Sequence, residues 1–139
     1  MSKPLIGPPC GSCPYRCDVP SGVWALDEYA LLPPYDEPDT AKQPPSAFFC
    51  HQQDGRLCAG WVAVHDMPES LGLRLAAVVG LISPEVYDLA LEYTSPVPLW
   101  PSGTAAAEHG VADLRRPSER AIRTIQRLER KLQRNEGRA

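Results

Sequence analysis

The stretch DMPESLGLRLAAVVGLISPEVYDLALEY, residues 66–93, decides the fold class. Asp66-Met67-Pro68-Glu69 is a capping box with Asp in place of Ser or Thr. Behind it Leu71, Leu73, Leu75, Val78, Val79, Leu81 and Ile82 are apolar nearly all round, which predicts a buried core helix over 67–82. Ser83-Pro84-Glu85 opens a second helix with proline in its first turn, over 84–94, with Val86, Leu89, Ala90 and Tyr93 on its inner face. Two helices in succession, joined by one short break, set a mostly α protein.

Working outward, Ser21 is a good N-cap for a helix over 22–32, in which Trp24, Ala25, Tyr29, Leu31 and Leu32 recur at roughly helical spacing before Pro33-Pro34 stops it. Residues 33–46 form a Pro-rich acidic loop. Ala47-Phe48-Phe49-Cys50-His51 is the best strand candidate, and Asp54-Gly55 is a strong turn signal. Leu57 to His65 suits either a returning strand or the start of a helix. Pro96, Pro98 and Pro101 stiffen a loop around Trp100, and further helices are expected over 103–112 and 117–134. The expected fold is therefore mostly α (small α+β): a Cys-rich metal-binding head with a short β-hairpin, a helical body, and a C-terminal basic amphipathic helix. In domain terms this is one metal-stapled unit over 1–112 (head 1–66, body 67–112) followed by the basic helix of 113–139.

Composition limits the function classes. The chain has 139 residues, 43% of them hydrophobic and 22% charged, which argues against wholesale disorder. The longest apolar candidate, Leu71 to Ile82, is interrupted by Arg74 and falls short of the ~18 residues of a membrane span. Residues 1–9 lack the apolar core of a secretory signal, so a cytoplasmic protein is expected. Sixteen residues are Pro, and ten of these lie within residues 4–45, where regular structure is scarce.

The five cysteines are Cys10, Cys13, Cys17, Cys50 and Cys58. An odd number without a signal peptide argues against a disulfide scaffold and for metal or redox chemistry. Cys10-Gly11-Ser12-Cys13 has knuckle spacing, in which one tight turn aims two sulfurs at one ion. A tetrahedral site needs a second pair, and the turn at Asp54-Gly55 returns Cys58 beside Cys50. The candidate metal ligands are thus Cys10, Cys13, Cys50 and Cys58, with zinc as the first choice and a [4Fe-4S] cluster as the alternative, since Cys13-Pro14 follows a ferredoxin habit. The small residues after Cys58 would let the backbone pack close to a cluster. Cys17 is an extra thiol beside Arg16, either a spare ligand, a reactive thiol or a cysteine without a role.

The histidines do not complete the set. His51 points away from Cys50 in extended backbone. His65, two helical turns past Cys58, stands about 10 Å along the axis. His109 lies near a helix end, where it suits free carbonyls.

From Asp113 to Ala139 the chain carries a net +5, against −8 for the remainder. Ala121, Ile125, Leu128 and Leu132 form a heptad-like seam, flanked by Arg120, Arg123, Arg127, Lys131 and Arg134. The helix of 117–134 can pack on the protein's own acidic body, dock a protein partner or a second copy, or contact nucleic-acid phosphates. The pI near 5.6 and the lack of aromatics on this helix weigh against nucleic acid.

Cys10-Gly11-Ser12-Cys13-Pro14-Tyr15-Arg16, Asp18-Val19-Pro20-Ser21-Gly22-Val23-Trp24, Phe49-Cys50-His51 and Cys58-Ala59-Gly60-Trp61 together resemble a family of small uncharacterised Cys-rich proteins of actinobacteria and their phages. The resemblance covers roughly the first 65 residues. It implies that Cys10, Cys13, Cys50 and Cys58 belong together with His51 as an accompanying polar residue, and that Cys17 is a departure at a position otherwise basic. The sequence favours a non-enzymatic metal-binding protein with a structural four-cysteine site. A [4Fe-4S] redox or sensor protein is the alternative. A thiol enzyme built on Cys17, with His51 as base and Asp18 or Asp54 as orienter, is the weakest assignment.

Overall fold

Prolines and cap residues cut the chain into short helices, seen in a computed structural model that describes residues 5–50 and 55–136. The helices are α1 (Leu26–Tyr29), α2 (Ala59–Val64), α3 (Leu71–Val78), α4 (Pro84–Glu92), α5 (Gly103–Ala112) and α6 (Glu119–Glu136), with single 3-10 turns at Pro33–Asp36, Thr40–Lys42 and Met67–Glu69. The fold is mostly α, as the sequence implies.

Four of these helices start on a serine that satisfies an otherwise orphan N–H. Ser70 accepts from Leu73 N at 3.2 Å, Ser83 from Val86 N at 3.2 Å, Ser102 from Ala105 N at 3.0 Å and Ser118 from Ala121 N at 3.1 Å. The bounds of α4 and α5 follow the sequence closely, with Pro84 in the first turn of α4.

The expected helix over 67–82 is shorter and less buried. Residues 67–69 form a 3-10 turn, and Ser70 rather than Asp66 provides the side-chain cap of α3. Gly80, at φ 81°, stops the helix. Leu81 N donates to Ala76 O at 2.9 Å and Gly80 N to Ala77 O at 3.3 Å, the paired bonds of a Schellman motif. Gly72, Leu73 and Ala76 face the core, but Val78, Val79 and Leu81 are 81%, 67% and 63% exposed. Apolar composition all round this segment therefore did not mean burial all round.

The expected helix over 22–32 contracts to the single turn of α1. Ser21 is engaged elsewhere: its Oγ donates to Gly110 O at 3.0 Å and accepts from Asp113 N at 2.8 Å, fastening the loop to the end of α5. The expected short β-hairpin does not appear among the described residues, and its turn at 51–54 lies outside them. Among the described residues there is no strand, only isolated antiparallel bridges between Phe49 and Leu57 and between Arg16 and Leu99. α2 begins at Ala59, so the returning arm is used up within three residues of Arg56.

One core joins these elements. Tyr15, Leu32, Trp61, Leu73 and Ala106 are at its centre, and Ala121 and Leu128 of α6 are buried in the same cluster, with Ile125 and Leu132 packed against it. The seam of the basic helix therefore faces the body. Asp36 clasps the start of α5, accepting from Gly103 N at 2.7 Å, Thr104 N at 2.7 Å and Thr104 Oγ1 at 2.6 Å. The loop bearing Cys10 to Cys17 is held from the other side, where Trp100 N donates to Tyr15 O at 2.8 Å and Cys17 N to Pro98 O at 3.2 Å.

Candidate metal centre

Four of the five thiols meet, and local backbone structure explains how. Cys13 N donates to Cys10 O at 3.0 Å and Arg16 N to Cys13 O at 3.0 Å, so the Cys10–Arg16 segment coils in successive tight turns. Cys50 N donates to Arg56 O at 2.7 Å and Cys58 N to Phe48 O at 2.9 Å. These two bonds flank the Phe49–Leu57 bridge and bring Cys50 and Cys58 onto facing arms. Cys58 is also the N-cap residue of α2, so its position is fixed by the start of a buried helix.

The thiols stand as two pairs that feel one another. Cys13 Sγ and Cys58 Sγ are 3.9 Å apart, and both residues are buried. Cys10 and Cys50 are half-buried and share a side-chain hydrogen bond. The pairs adjoin: Cys10 lies within electrostatic reach of Cys13 and Cys58, and Cys13 within reach of Cys50.

Proton sharing polarises each pair. The hydrogen bond to Cys50, together with burial, pushes the Cys10 thiol far above its usual range. The bond to Cys13, again with burial, does the same to Cys58. Donation from Cys58 brings Cys13 below its usual range despite burial, helped by the backbone N–H groups of Tyr15 and Gly60. Backbone N–H groups also favour the thiolates of Cys10, from Ser12, and Cys58, from Trp61. Donors of this kind are what thiolate ligands need, because they spread charge that one ion only partly neutralises.

Gly60 makes the arrangement sterically possible. A Cβ there would stand 2.7 Å from Cys13 Sγ and 2.8 Å from Tyr15 Cβ, closer than real Cβ atoms approach. The lack of a side chain at this position lets the start of α2 lie directly against Cys13 and Tyr15.

Among the described residues no group of three or more His, Cys, Asp or Glu side chains stands ready-made at metal-holding geometry. The thiols are paired by protons, and a metal would displace those protons and draw the pairs together.

The other candidates lie elsewhere. Cys17 is exposed, outside the four-thiol group. Its neighbour Arg16 is committed to Asp18, with Nε to Oδ1 and Nη2 to Oδ2 both at 2.7 Å, and to Pro9 O at 3.0 Å. That fork braces the knuckle loop and occupies the carboxylate assigned as an orienter. His51 and Asp54 lie outside the described residues. His65 is engaged elsewhere, with Nδ1 2.9 Å from Trp61 O and Nε2 3.0 Å from Asp36 Oδ1. His109 does meet a carbonyl, that of Val19 at 2.8 Å, rather than the end of its own helix.

Sequence reasoning missed the surroundings of the thiols. A cleft of about 340 Å³ opens over Cys10, Cys50 and Cys58 and is edged by Arg56 and by Lys131 of α6. Nothing in the spacing of the cysteines places a residue of the last helix there. No helix among the described residues is long and apolar enough to cross a membrane. The model of a family of unknown function, DUF6283, matches residues 6–130, across both the cysteine-bearing half and most of the basic helix. No curated protein and no solved structure matches the chain.

Proposed function

Since the chain belongs to the family of unknown function DUF6283, we propose from its own geometry that it is a small metal-binding protein whose ion is held by Cys10, Cys13, Cys50 and Cys58. The observation that carries this is the convergence of four unoxidised thiols from three separated stretches, with the Cys13 and Cys58 sulfurs 3.9 Å apart. That separation is close to the about 3.8 Å edge of a tetrahedron built on zinc–sulfur bonds of about 2.3 Å. Ligands of a four-iron cubane bind four different irons and sit further apart. Zinc is therefore the preferred ion, and a [4Fe-4S] cluster is the alternative to be separated by experiment.

The role proposed for the ion is structural. It would tie the knuckle of residues 10–13 to both arms around the Phe49–Leu57 bridge and to the start of α2. Those segments have little regular hydrogen bonding of their own. A structural zinc contributes on the order of 10 kcal/mol in zinc-finger peptides, enough to order such a region. Four protein ligands leave no coordination position for a substrate, which supports a binding or regulatory protein over an enzyme.

The test is metal analysis with a visible absorption spectrum on protein purified without oxygen. One zinc per chain and no visible band are expected. Brown protein with iron and sulfide would replace zinc by the cluster. Protein that is fully folded with no bound metal would overturn the proposal.

A further inference from the structure

Beside the thiols, the knuckle loop and α6 enclose a second cleft of about 370 Å³ whose charge is one-sided. One wall is Gly11, Ser12, Asp18 and Pro20, and the other is the face of α6 that carries Arg120, Arg127 and Lys131 above the buried Leu128. Three cations thus face one carboxylate, and that carboxylate is already held by both arms of the Arg16 fork. Arg120 is fixed on the loop, donating to the Asp18 carbonyl. Arg123, which does not line the cleft, turns to Glu119 instead. Arg127 has no hydrogen bond or ion pair among the described residues. Arg127 and Lys131 lie one turn apart, about 6 Å along the axis, so both can reach a single phosphoryl group.

We infer that this cleft binds a phosphate-bearing ligand, with Arg127 and Lys131 as its principal contacts and Arg120 as a fixed charge at one end. The helix is basic here although the chain as a whole is acidic, and its apolar seam is spent on the core, which leaves the cationic face to line the cleft. The volume lies at the lower end of the about 300–1,000 Å³ range of small-ligand sites, sufficient for a nucleotide or a short piece of nucleic-acid strand. Lys131 and Gly11 also line the cleft over Cys10, Cys50 and Cys58, so the two clefts adjoin. The inference does not depend on the thiols holding a metal.

The experiment uses the full chain and two probes, ATP by calorimetry and a fluorescent 12-nucleotide single-stranded DNA by anisotropy, each at 50 and 200 mM salt. Binding of ATP alone identifies a free nucleotide, and binding of the strand identifies nucleic acid. For the strand, three phosphate contacts predict a log–log salt slope of about −2, an about 15-fold loss of affinity across that range. Arg127→Gln and Lys131→Gln should each weaken binding several-fold, and for the strand reduce the slope by about one contact. Arg130→Gln, on an exposed position outside the cleft, should leave binding unchanged. Equal losses in all three variants would mean diffuse attraction and overturn the inference, as would no binding of either probe at 50 mM salt. Metal content measured on the same samples keeps failure of this site distinct from failure of the metal centre.

Discussion

Gly60→Ala is the sharpest test of how the thiols are packed. The added Cβ would sit 2.7 Å from Cys13 Sγ and 2.8 Å from Tyr15 Cβ. Both neighbours are fully buried, and Tyr15 Cβ is tied directly to its backbone, so neither can swing away. Overpacking a rigid core costs roughly 1–3 kcal/mol. Replacing glycine by alanine inside a helix returns up to about 1 kcal/mol through propensity. With two close clashes the upper part of the range applies, and a net loss of about 2 kcal/mol is expected. At about 4 °C per kcal/mol for a chain of this size, Tm should fall by about 8 °C. The assay is urea and thermal unfolding with metal content measured on the same preparations. Gly11→Ala is the control, because a Cβ there meets nothing within 4 Å. Because the clash falls on a candidate ligand, metal occupancy should fall in Gly60→Ala and hold in Gly11→Ala. A Gly60→Ala protein as stable as the parent, or more stable through propensity alone, would refute the close approach of α2 to Cys13.

Other outcomes follow from the same structure. Cys58→Ser should abolish metal binding while Cys17→Ser retains it, read by metal analysis; retention in Cys58→Ser would remove that residue from the ligand set. Asp36 is drawn up by partial burial, but its bonds from Thr104, Gly103 and His65 outweigh this and hold its pKa below the usual carboxylate range. Its stabilising contribution is therefore present above the unfolded carboxyl pKa of about 3.9 and lost as pH falls through the lower folded value. Asp36→Ala should cost about 1–3 kcal/mol in urea unfolding at pH 7, and the gap from the parent should narrow under acid conditions. Leu128→Ala should lose about 2–3 kcal/mol, whereas Ile122→Ala, on the exposed side of α6, should stay within about 0.5 kcal/mol.

Some of this architecture could be read before any coordinates. Cap chemistry is local, so Ser83-Pro84 fixed the start of α4, and the Ala-rich run placed α5. Knuckle spacing and a turn at Gly55 are short-range signals that relate Cys10 to Cys13 and Cys50 to Cys58, whereas the approach of Cys13 to Cys58 and of Cys10 to Cys50 is long-range. Failures occurred where a residue was claimed by a distant partner. Ser21 looks like an N-cap until the end of α5 takes its hydroxyl. Gly80 carries a stop signal that an apolar run on both sides disguised. The exposure of Val78, Val79 and Leu81 could not be read, since periodicity says which faces are apolar and not which are covered. The basic cleft beside the knuckle depends on where α6 lands, a long-range fact with no trace in the spacing of its arginines.

The fastening of the N-terminal loop has a consequence for the order of folding. Ser21 bonds Gly110 across 89 positions, His109 reaches Val19 across 90, and the Tyr93 hydroxyl donates to Gly7 across 86. The thiol-bearing loop is made on the ribosome well before its anchors. At roughly 5–20 residues per second, several seconds separate synthesis of Cys10 from synthesis of α5. Cys10 and Cys13 lack Cys50 and Cys58 for the first part of that interval, and lack the α5 anchors of their loop throughout it. Closing loops of this length is also entropically costly before the contacts repay it. The loop of residues 7–21 thus settles only after α5 has been made, although it leaves the ribosome some ninety residues earlier.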